Sequence, residues 1–388
     1  MKKIIYFDNA ATTRVHPEVF NSMTPYFCDE FANPAGAYKS ARVSENAINR
    51  ARTQAARLIG ARPDEIYFTS GGSESDNWAI KSFSRSIRKK RMGASCHIIT
   101  TSIEHNAVLN SCRTLESEGF TVTYLPCDKY GFIHPETLQA AIRDDTILIS
   151  VMAANNEVGS IQPLKAIGQI ARRHQIAFHT DAVQAYGHIP INVNECMIDM
   201  LSMSAHKLHG PKGVGFLYIK DKTKINPIIF GGGQQKGMRS GTENVPGIAG
   251  MALAAKMCYD NFDEKIERLY ELKEYFVEKV LEIPGTTFNG RRGYEGTPHV
   301  ISISFEDVRS EVLLHALEDK GIYVSSGSAC SSNKPALSGT LKAIGVKNNL
   351  LDSTIRFSLC TMNTKEELDR AVEALCELVP MLRKYTRH

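Results

Sequence analysis

Through residues 41–59 the apolar positions Val43, Ala47, Ile48, Ala51, Ala55, Leu58 and Ile59 recur at helical spacing, and Gly60 follows as a stop. The spacing predicts an amphipathic helix. Downstream, short β-rich runs at 66–69, 97–101, 121–125, 147–152, 176–179, 200–203 and 214–219 alternate with helical patterns that begin at Ser73 and Asn106 and span 163–174. Such alternation predicts an α/β layer with a mostly parallel sheet flanked by helices, and ligands beyond the strand ends. A charged helical stretch over 263–282 stops at Pro284-Gly285, and a strand at 300–304, a helix at 310–320 and a last helix from Lys365 follow. The expected organisation is an N-terminal segment 1–15, a large domain 16–260 and a smaller α+β domain 261–388. Neither a repeat nor a low-complexity linker separates them, so close packing is expected.

Composition narrows the classes. The 388 residues are 43% hydrophobic and 23% charged, within the ordinary globular range. Against 42 acidic residues stand 46 basic ones, a net charge of +4 that is too small and too evenly spread to mark a nucleic-acid or membrane surface. Asp8 interrupts the N-terminal run before an apolar stretch develops, and no later run is long enough to span a bilayer, so a cytoplasmic location is expected. The nine cysteines are an odd set without a Cys-x-x-Cys pair, which argues against a disulfide framework and a zinc ribbon. Buried thiols are the default for most of them.

Three strand-end clusters carry chemistry. In Thr69-Ser70-Gly71-Gly72-Ser73-Glu74-Ser75, glycines before a helix let backbone N–H groups approach an anion, although Ser73 with Asp76 also reads as a capping box. Ser204-Ala205-His206-Lys207 puts a lysine at a strand end beside hydroxyl and imidazole groups, a setting that suits Schiff-base chemistry as well as a plain loop lysine. In His179-Thr180-Asp181-Ala182-Val183-Gln184 a carboxylate at the same edge is placed to keep a pyridine nitrogen protonated. A phosphate cup, an amine and a pyridinium partner together match pyridoxal 5′-phosphate better than a nucleotide or a metal.

At these residues the chain resembles the class V, fold-type I pyridoxal-phosphate enzymes, and more narrowly the NifS/IscS-type cysteine desulfurases. The matching segments run through nearly the whole length: Asp8-Asn9-Ala10-Ala11-Thr12-Thr13, the Gly71-Gly72-Ser73 loop, Glu104-His105, Asn155-Asn156-Glu157-Val158-Gly159, Thr180-Asp181, Ser204-Ala205-His206-Lys207, Arg239-Ser240-Gly241-Thr242, Ser326-Gly327-Ser328-Ala329-Cys330 and Ile355-Arg356-Phe357-Ser358. The resemblance implies that Lys207 carries the cofactor, Asp181 pairs with its ring nitrogen, His105 stacks on the ring and Asn156 and Gln184 face the ring hydroxyl. Gly72, Ser73, Ser204 and His206 would hold the phosphate, and Thr242 would reach the phosphate of a second subunit in a homodimer. Arg356, assisted by Asn33, would bind the carboxylate of L-cysteine as a bidentate fork. The chain departs from the family's usual pattern at Ala35-Gly36-Ala37-Tyr38, at Gln235 in place of a frequent Glu, and at Cys360 in place of Gly.

Cys330 alone among the cysteines sits in a run of small polar residues, 325–332, with no periodic apolar face to bury it. An accessible thiol is expected there, able to serve both the cofactor and an outside acceptor. By resemblance it takes sulfur from cysteine as a persulfide and passes it to an acceptor or iron–sulfur scaffold protein. A selenocysteine lyase, a class V aminotransferase and a non-catalytic sulfur-assembly platform share much of this pattern.

Overall fold

The computed structural model describes residues 4–326 and 337–385. In chain order the strands are β1 (Ile5–Tyr6), β2 (Ile66–Thr69), β3 (His97–Thr101), β4 (Thr121–Leu125), β5 (Thr146–Ser150), β6 (Ala177–Asp181), β7 (Met200–Ser204), β8 (Gly215–Ile219), β9 (Thr286–Asn289), β10 (Val300–Phe305), β11 (Ile322–Tyr323) and β12 (Thr354–Ser358). Seven of them form one sheet in the order β2-β8-β7-β6-β5-β3-β4. Strand β8 runs antiparallel to both neighbours, whereas β7, β6, β5, β3 and β4 pair in parallel. All strands but β8 therefore end on one edge of the sheet.

Helices cover both faces, which is why β3, β5, β7 and β8 are buried at every position and read as apolar runs rather than alternations. On one face Ile149, Phe178, Leu201 and Phe216 pack with Ile48, Ala51 and Ala55 of the helix Lys39–Leu58 and with Ile248, Met251 and Ala255 of the helix Val245–Tyr259. On the other, Ile98, Leu148, Met200 and Leu217 meet Trp78, Phe83, Val108 and Leu115. Each fully buried Leu, Ile or Phe contributes about 1.5–3 kcal/mol relative to exposure. The helix Val245–Tyr259 was not among the predicted elements. It is apolar nearly all round, so no polar face marks its period.

A three-stranded antiparallel sheet, β12-β10-β9, builds a second core with the helices Phe262–Leu281, Ser310–Asp319 and Lys365–Arg383. Ile5 and Phe7 join that core, and β1 pairs in parallel with β11. From there the chain runs to the large sheet: Ala10 N–H donates to Ser358 Oγ at 2.8 Å, and Thr13 N–H to the His206 carbonyl at 2.8 Å. Residues 8–13 thus lie between the end of β12 and the turn after β7.

One local expectation is corrected. The helix that follows β2 starts on Gly71, with no side-chain cap from Ser73. The Glu74 carboxylate instead accepts from Ser70 N–H at 2.8 Å, which leaves the Ser73 hydroxyl facing a cavity.

Candidate active site

The carboxyl edge of the large sheet opens into a cavity of about 440 Å³. The loops after β2, β3, β5, β6 and β7 each send a side chain into it, and β12 adds one from the second core. Gly72, Ser73, His105, Asn156, Asp181, Gln184, Ser204, His206, Lys207 and Arg356, read from distant parts of the sequence, all line it. Asn33 and Thr242 do not. Asn33 is exposed and its Oδ1 accepts from Ala35 N–H at 3.0 Å, while Thr242 is exposed on the single chain. Cys330 lies outside the described residues.

Lys207 sits in a single 3₁₀ turn directly after β7. Its Nζ donates to the carbonyls of Ala10 and Ala11 at 2.6 and 2.8 Å, so the N-terminal segment fixes the amine against the cavity wall. His206 beside it meets Thr12 Oγ1 through Nδ1 at 3.2 Å, and burial, with the Lys207 and Lys212 charges, pulls its pKa down to about 4. It is a neutral imidazole at neutral pH.

At the end of β6 the Asp181 carboxylate accepts from Val183 N–H at 2.9 Å. Burial raises its pKa, and the His105 ring, the Val183 N–H and the Lys207 charge oppose the rise. Asp76 is buried within the same group: an oxygen of Asp76, one of Asp181 and a ring nitrogen of His105 all lie within 4.8 Å of one another. Burial pushes the Asp76 carboxyl far above its usual range and Asp181 pushes it further. Its Oδ1 has no hydrogen-bond partner among the described residues, since His179, 3.6 Å away, is held neutral by burial with a pKa of about 3. His105 caps the helix Asn106–Ser117, its Nδ1 accepting from Ala107 N–H at 3.1 Å, so the ring's proton is on Nε2.

On the opposite wall, Gly71 holds φ +141°, a conformation L side chains rarely adopt, and a Cβ on Gly72 would stand 2.7 Å from Val183 Cγ2. These glycines let the backbone come close to whatever fills the adjoining space, a second cavity of about 380 Å³ that Ser73, Ser204, His206 and Lys212 share. Arg239 clamps Glu74 through Nε and Nη2 at 2.9 and 3.1 Å, neutralising the one carboxylate at this cup among the described residues. Gln235 explains its own presence: Oε1 accepts from Arg52 and Phe68 N–H while Nε2 donates to Glu243 at 2.7 Å. A glutamate there would face Glu243 with no proton to give.

The donor set fits pyridoxal 5′-phosphate. A protonated pyridine supplies the cation that the buried Asp181 and Asp76 call for, the Gly71-Gly72-Ser73 turn with Ser204 and His206 suits a phosphate, and Lys207 offers the amine.

Sequence reasoning missed Asp8, Asp76 and Glu104 as site residues. Arg356 Nη2 donates to Asp8 Oδ1 at 2.8 Å and Nη1 to the Asn156 carbonyl at 2.9 Å, while its buried Nε has no partner among the described residues. Glu104 Oε1 accepts from Thr101 Oγ1 at 2.8 Å and Met152 N–H at 2.9 Å, and burial raises its pKa to about 8. Cys360 is buried, with a raised pKa, and lines a separate cavity of about 170 Å³.

Comparison with known proteins agrees with this geometry. Residues 5–371 match the family model of class-V aminotransferases. The cysteine desulfurase IscS of Methanosarcina thermophila is 49% identical over 98% of this chain and 93% of its own, and that of Dictyoglomus turgidum 46% identical over 99% and 96%. Among solved structures, a NifS-like protein superposes with a TM-score of 0.91 at 37% identity, covering 98% of this chain and all of the other. SspA, solved in complex with cysteine, gives 0.82 at 38% identity over 93% of this chain and all of its own. The chain belongs to the class-V aminotransferase family and, within it, to the cysteine desulfurases.

Proposed function

We propose that the protein removes sulfur from L-cysteine, releases L-alanine and carries the sulfur as a persulfide on Cys330. The observation that carries this reading is the meeting of Lys207, Asp181 and Arg356 in one cavity: an amine, a buried carboxylate and a guanidinium whose Nε–H has no partner among the described residues.

Arg356 binds the substrate carboxylate. Asp8 and Asn156 hold its guanidinium, so its direction is fixed before substrate arrives. Lys207 takes the proton from the substrate Cα and returns one later, and Asp181 keeps the ring nitrogen of the cofactor protonated. Bound there, pyridoxal 5′-phosphate would supply the electron sink for the pair left at Cα, the chemistry that makes the Cβ–S bond labile. The Cys330 thiolate attacks the substrate sulfur: an S–S bond forms, the Cβ–S bond breaks, and its electron pair stays with carbon, which gains a proton on the way to alanine. His105 would cover one face of the ring, Asn156 and Gln184 would face its hydroxyl, and Gly72, Ser73, Ser204 and His206 would hold the phosphate.

The reading extends to a homodimer in which Thr242 serves the neighbouring subunit's phosphate, to a sulfur-acceptor or iron–sulfur scaffold protein as partner, and to a cytoplasmic location. The smaller domain begins near residue 261. For Thr242 the support is its exposure on the single chain, three residues after Arg239, which holds Glu74 at the phosphate cup.

The test supplies L-cysteine and a thiol reductant to the cofactor-loaded protein without a keto acid, then measures alanine, sulfide and the mass of the Cys330 peptide. Equal alanine and sulfide with a transient gain of one sulfur on Cys330 is expected. Turnover that starts only when a keto acid is added would make the protein an aminotransferase instead.

A further inference from the structure

His299 stands directly before β10, in the second core's sheet, and its side chain reaches across to the segment after β6. It is 1% exposed. Its Nε2 lies 3.2 Å from Gln184 Oε1, and its ring stacks on that of His188 with centroids 3.9 Å apart and planes 23° from parallel. Gln184 Nε2 in turn donates to the Ala10 carbonyl at 2.9 Å, the same oxygen that accepts from Lys207 Nζ at 2.6 Å.

The protons in this chain follow from what each group can do. A backbone carbonyl only accepts, so the end of the Gln184 carboxamide facing Ala10 is the NH₂ group. The other end is then oxygen, and the imidazole nitrogen facing it must carry the hydrogen. Burial, with His188 and the Lys273, Arg356 and Lys207 charges around it, holds His299 neutral, so it has one N–H and that one is on Nε2. Its Nδ1 is a bare lone pair, in keeping with the absence of any partner for that atom among the described residues. One hydrogen of the Gln184 NH₂ goes to Ala10, and the other remains for the cavity that Gln184 lines.

The backbone ties this chain to the substrate side as well. Leu359 N–H donates to the His299 carbonyl at 2.9 Å, Val300 pairs with Ser358, and Ser358 Oγ holds the N–H of Ala10. His299 therefore sits at the end of the β10–β12 pair, whose β12 carries Arg356, while its side chain ends on the residue that shares Lys207's acceptor.

We propose that His299 is a positioning residue for the reaction: its Nε2–H fixes the Gln184 carboxamide so that an N–H faces the cofactor's ring hydroxyl, and thereby keeps Gln184 from competing for Lys207. The inference rests on the reading that Gln184 faces that hydroxyl. Without the imidazole N–H, the Gln184 oxygen loses its donor and is free to turn toward the Lys207 amine, which bonds the same Ala10 oxygen as the carboxamide.

The test is a cycle of His299→Phe, Gln184→Leu and the double variant. His299→Phe keeps a ring to stack on His188 and removes the donor, and His299→Gln restores an N–H. Two quantities are read: the dissociation constant of pyridoxal 5′-phosphate titrated into the apo-protein, and the position of the visible absorption band of the loaded protein. The expected result is about tenfold weaker binding for His299→Phe, the size set by one buried hydrogen bond. A displaced band should accompany it, with partial recovery in His299→Gln and a double variant no weaker than Gln184→Leu alone. Wild-type affinity and band in His299→Phe, with both changed in Gln184→Leu, would overturn the role of His299 and leave that of Gln184 standing. Losses that multiply in the double variant would show that His299 acts elsewhere, and overturn it too. No change in either single variant would remove the Gln184 reading and this inference with it. A measurement free of any substitution guards against variants that do not fold: nitrogen-15 NMR of labelled histidine in the loaded wild-type protein should find His299 as the Nε2–H tautomer, and the Nδ1–H tautomer would overturn the proposal.

Discussion

Arg356 and Asp8, 348 residues apart in sequence, form a partly buried ion pair at 2.8 Å that holds the guanidinium while leaving its Nε–H unpartnered among the described residues. Substitution Arg356→Lys should therefore raise the KM for L-cysteine far more than it lowers kcat. A lysine keeps the charge but has neither the fork nor the reach to contact Asp8, Asn156 and a carboxylate at once. Losing one charge-assisted hydrogen bond, about 1.5–3 kcal/mol, corresponds to a rise of roughly 10- to 100-fold. Steady-state kinetics checks it, and an unchanged KM would take the carboxylate away from Arg356.

Lys207→Ala should abolish the visible absorbance of the Schiff base and reduce turnover by several orders of magnitude. Among the described residues, Lys207 is the only lysine lining the large cavity. Absorbance of the protein after cofactor loading checks it. A retained yellow form with full turnover would refute the assignment.

Cys330→Ala should still bind L-cysteine and change the cofactor spectrum, yet lose sulfide release almost completely, whereas Cys360→Ala should stay close to wild type. Cys360 is buried with its pKa raised, so little of it is thiolate near neutral pH, and it lines a cavity other than the one that holds Lys207. Sulfide assays on the two variants separate them, and release that survives in Cys330→Ala would move the nucleophile.

The parts of the fold that sequence made legible are those with a local period or a local stop. The stripe through Ala47, Ile48, Ala51 and Ala55 with Gly60 behind it marked a helix, and the apolar runs of β3, β5 and β7 marked buried strands. Lys207 and Asp181 were legible because each closes such a strand. Asp8, Asp76 and Glu104 were not. Asp8 matters through a partner 348 residues away, and no local pattern distinguishes Asp76 or Glu104 from helical or loop carboxylates until burial withdraws their solvent. His299 was silent for the same reason: an isolated histidine before a strand reads as filler until Gln184 is seen across from it.

Glu104 sets a pH dependence of stability whose sign follows from its surroundings. Burial is the main cause that raises its pKa from 4.5 to about 8, Asp181 adds to it, and the bonds from Met152 N–H and Thr101 only partly offset them. Between those two values the folded chain holds a proton that the unfolded chain gives up, so unfolding releases a proton and rising pH favours it. The stabilising contribution is complete below about pH 4.5, declines through the interval and is gone above about pH 8, at about 1.4 kcal/mol for each tenfold difference in proton affinity. Glu104→Gln removes the titration while keeping a carbonyl oxygen for the Met152 and Thr101 donors. Its Nε2 takes the place of Oε2, which has no partner among the described residues, so the exchange breaks no bond seen there. Urea midpoints of the cofactor-loaded proteins at about pH 5 and about pH 9 check the sign, because Asp76 and Asp181 are present in both chains and the difference between the chains isolates Glu104 together with its coupling to these two carboxyls. The variant should match wild type at the lower pH and exceed it at the higher. A gap that is the same at both pH values would show that Glu104 stays ionised in the folded protein and that the Met152 and Thr101 hydrogen bonds outweigh its burial.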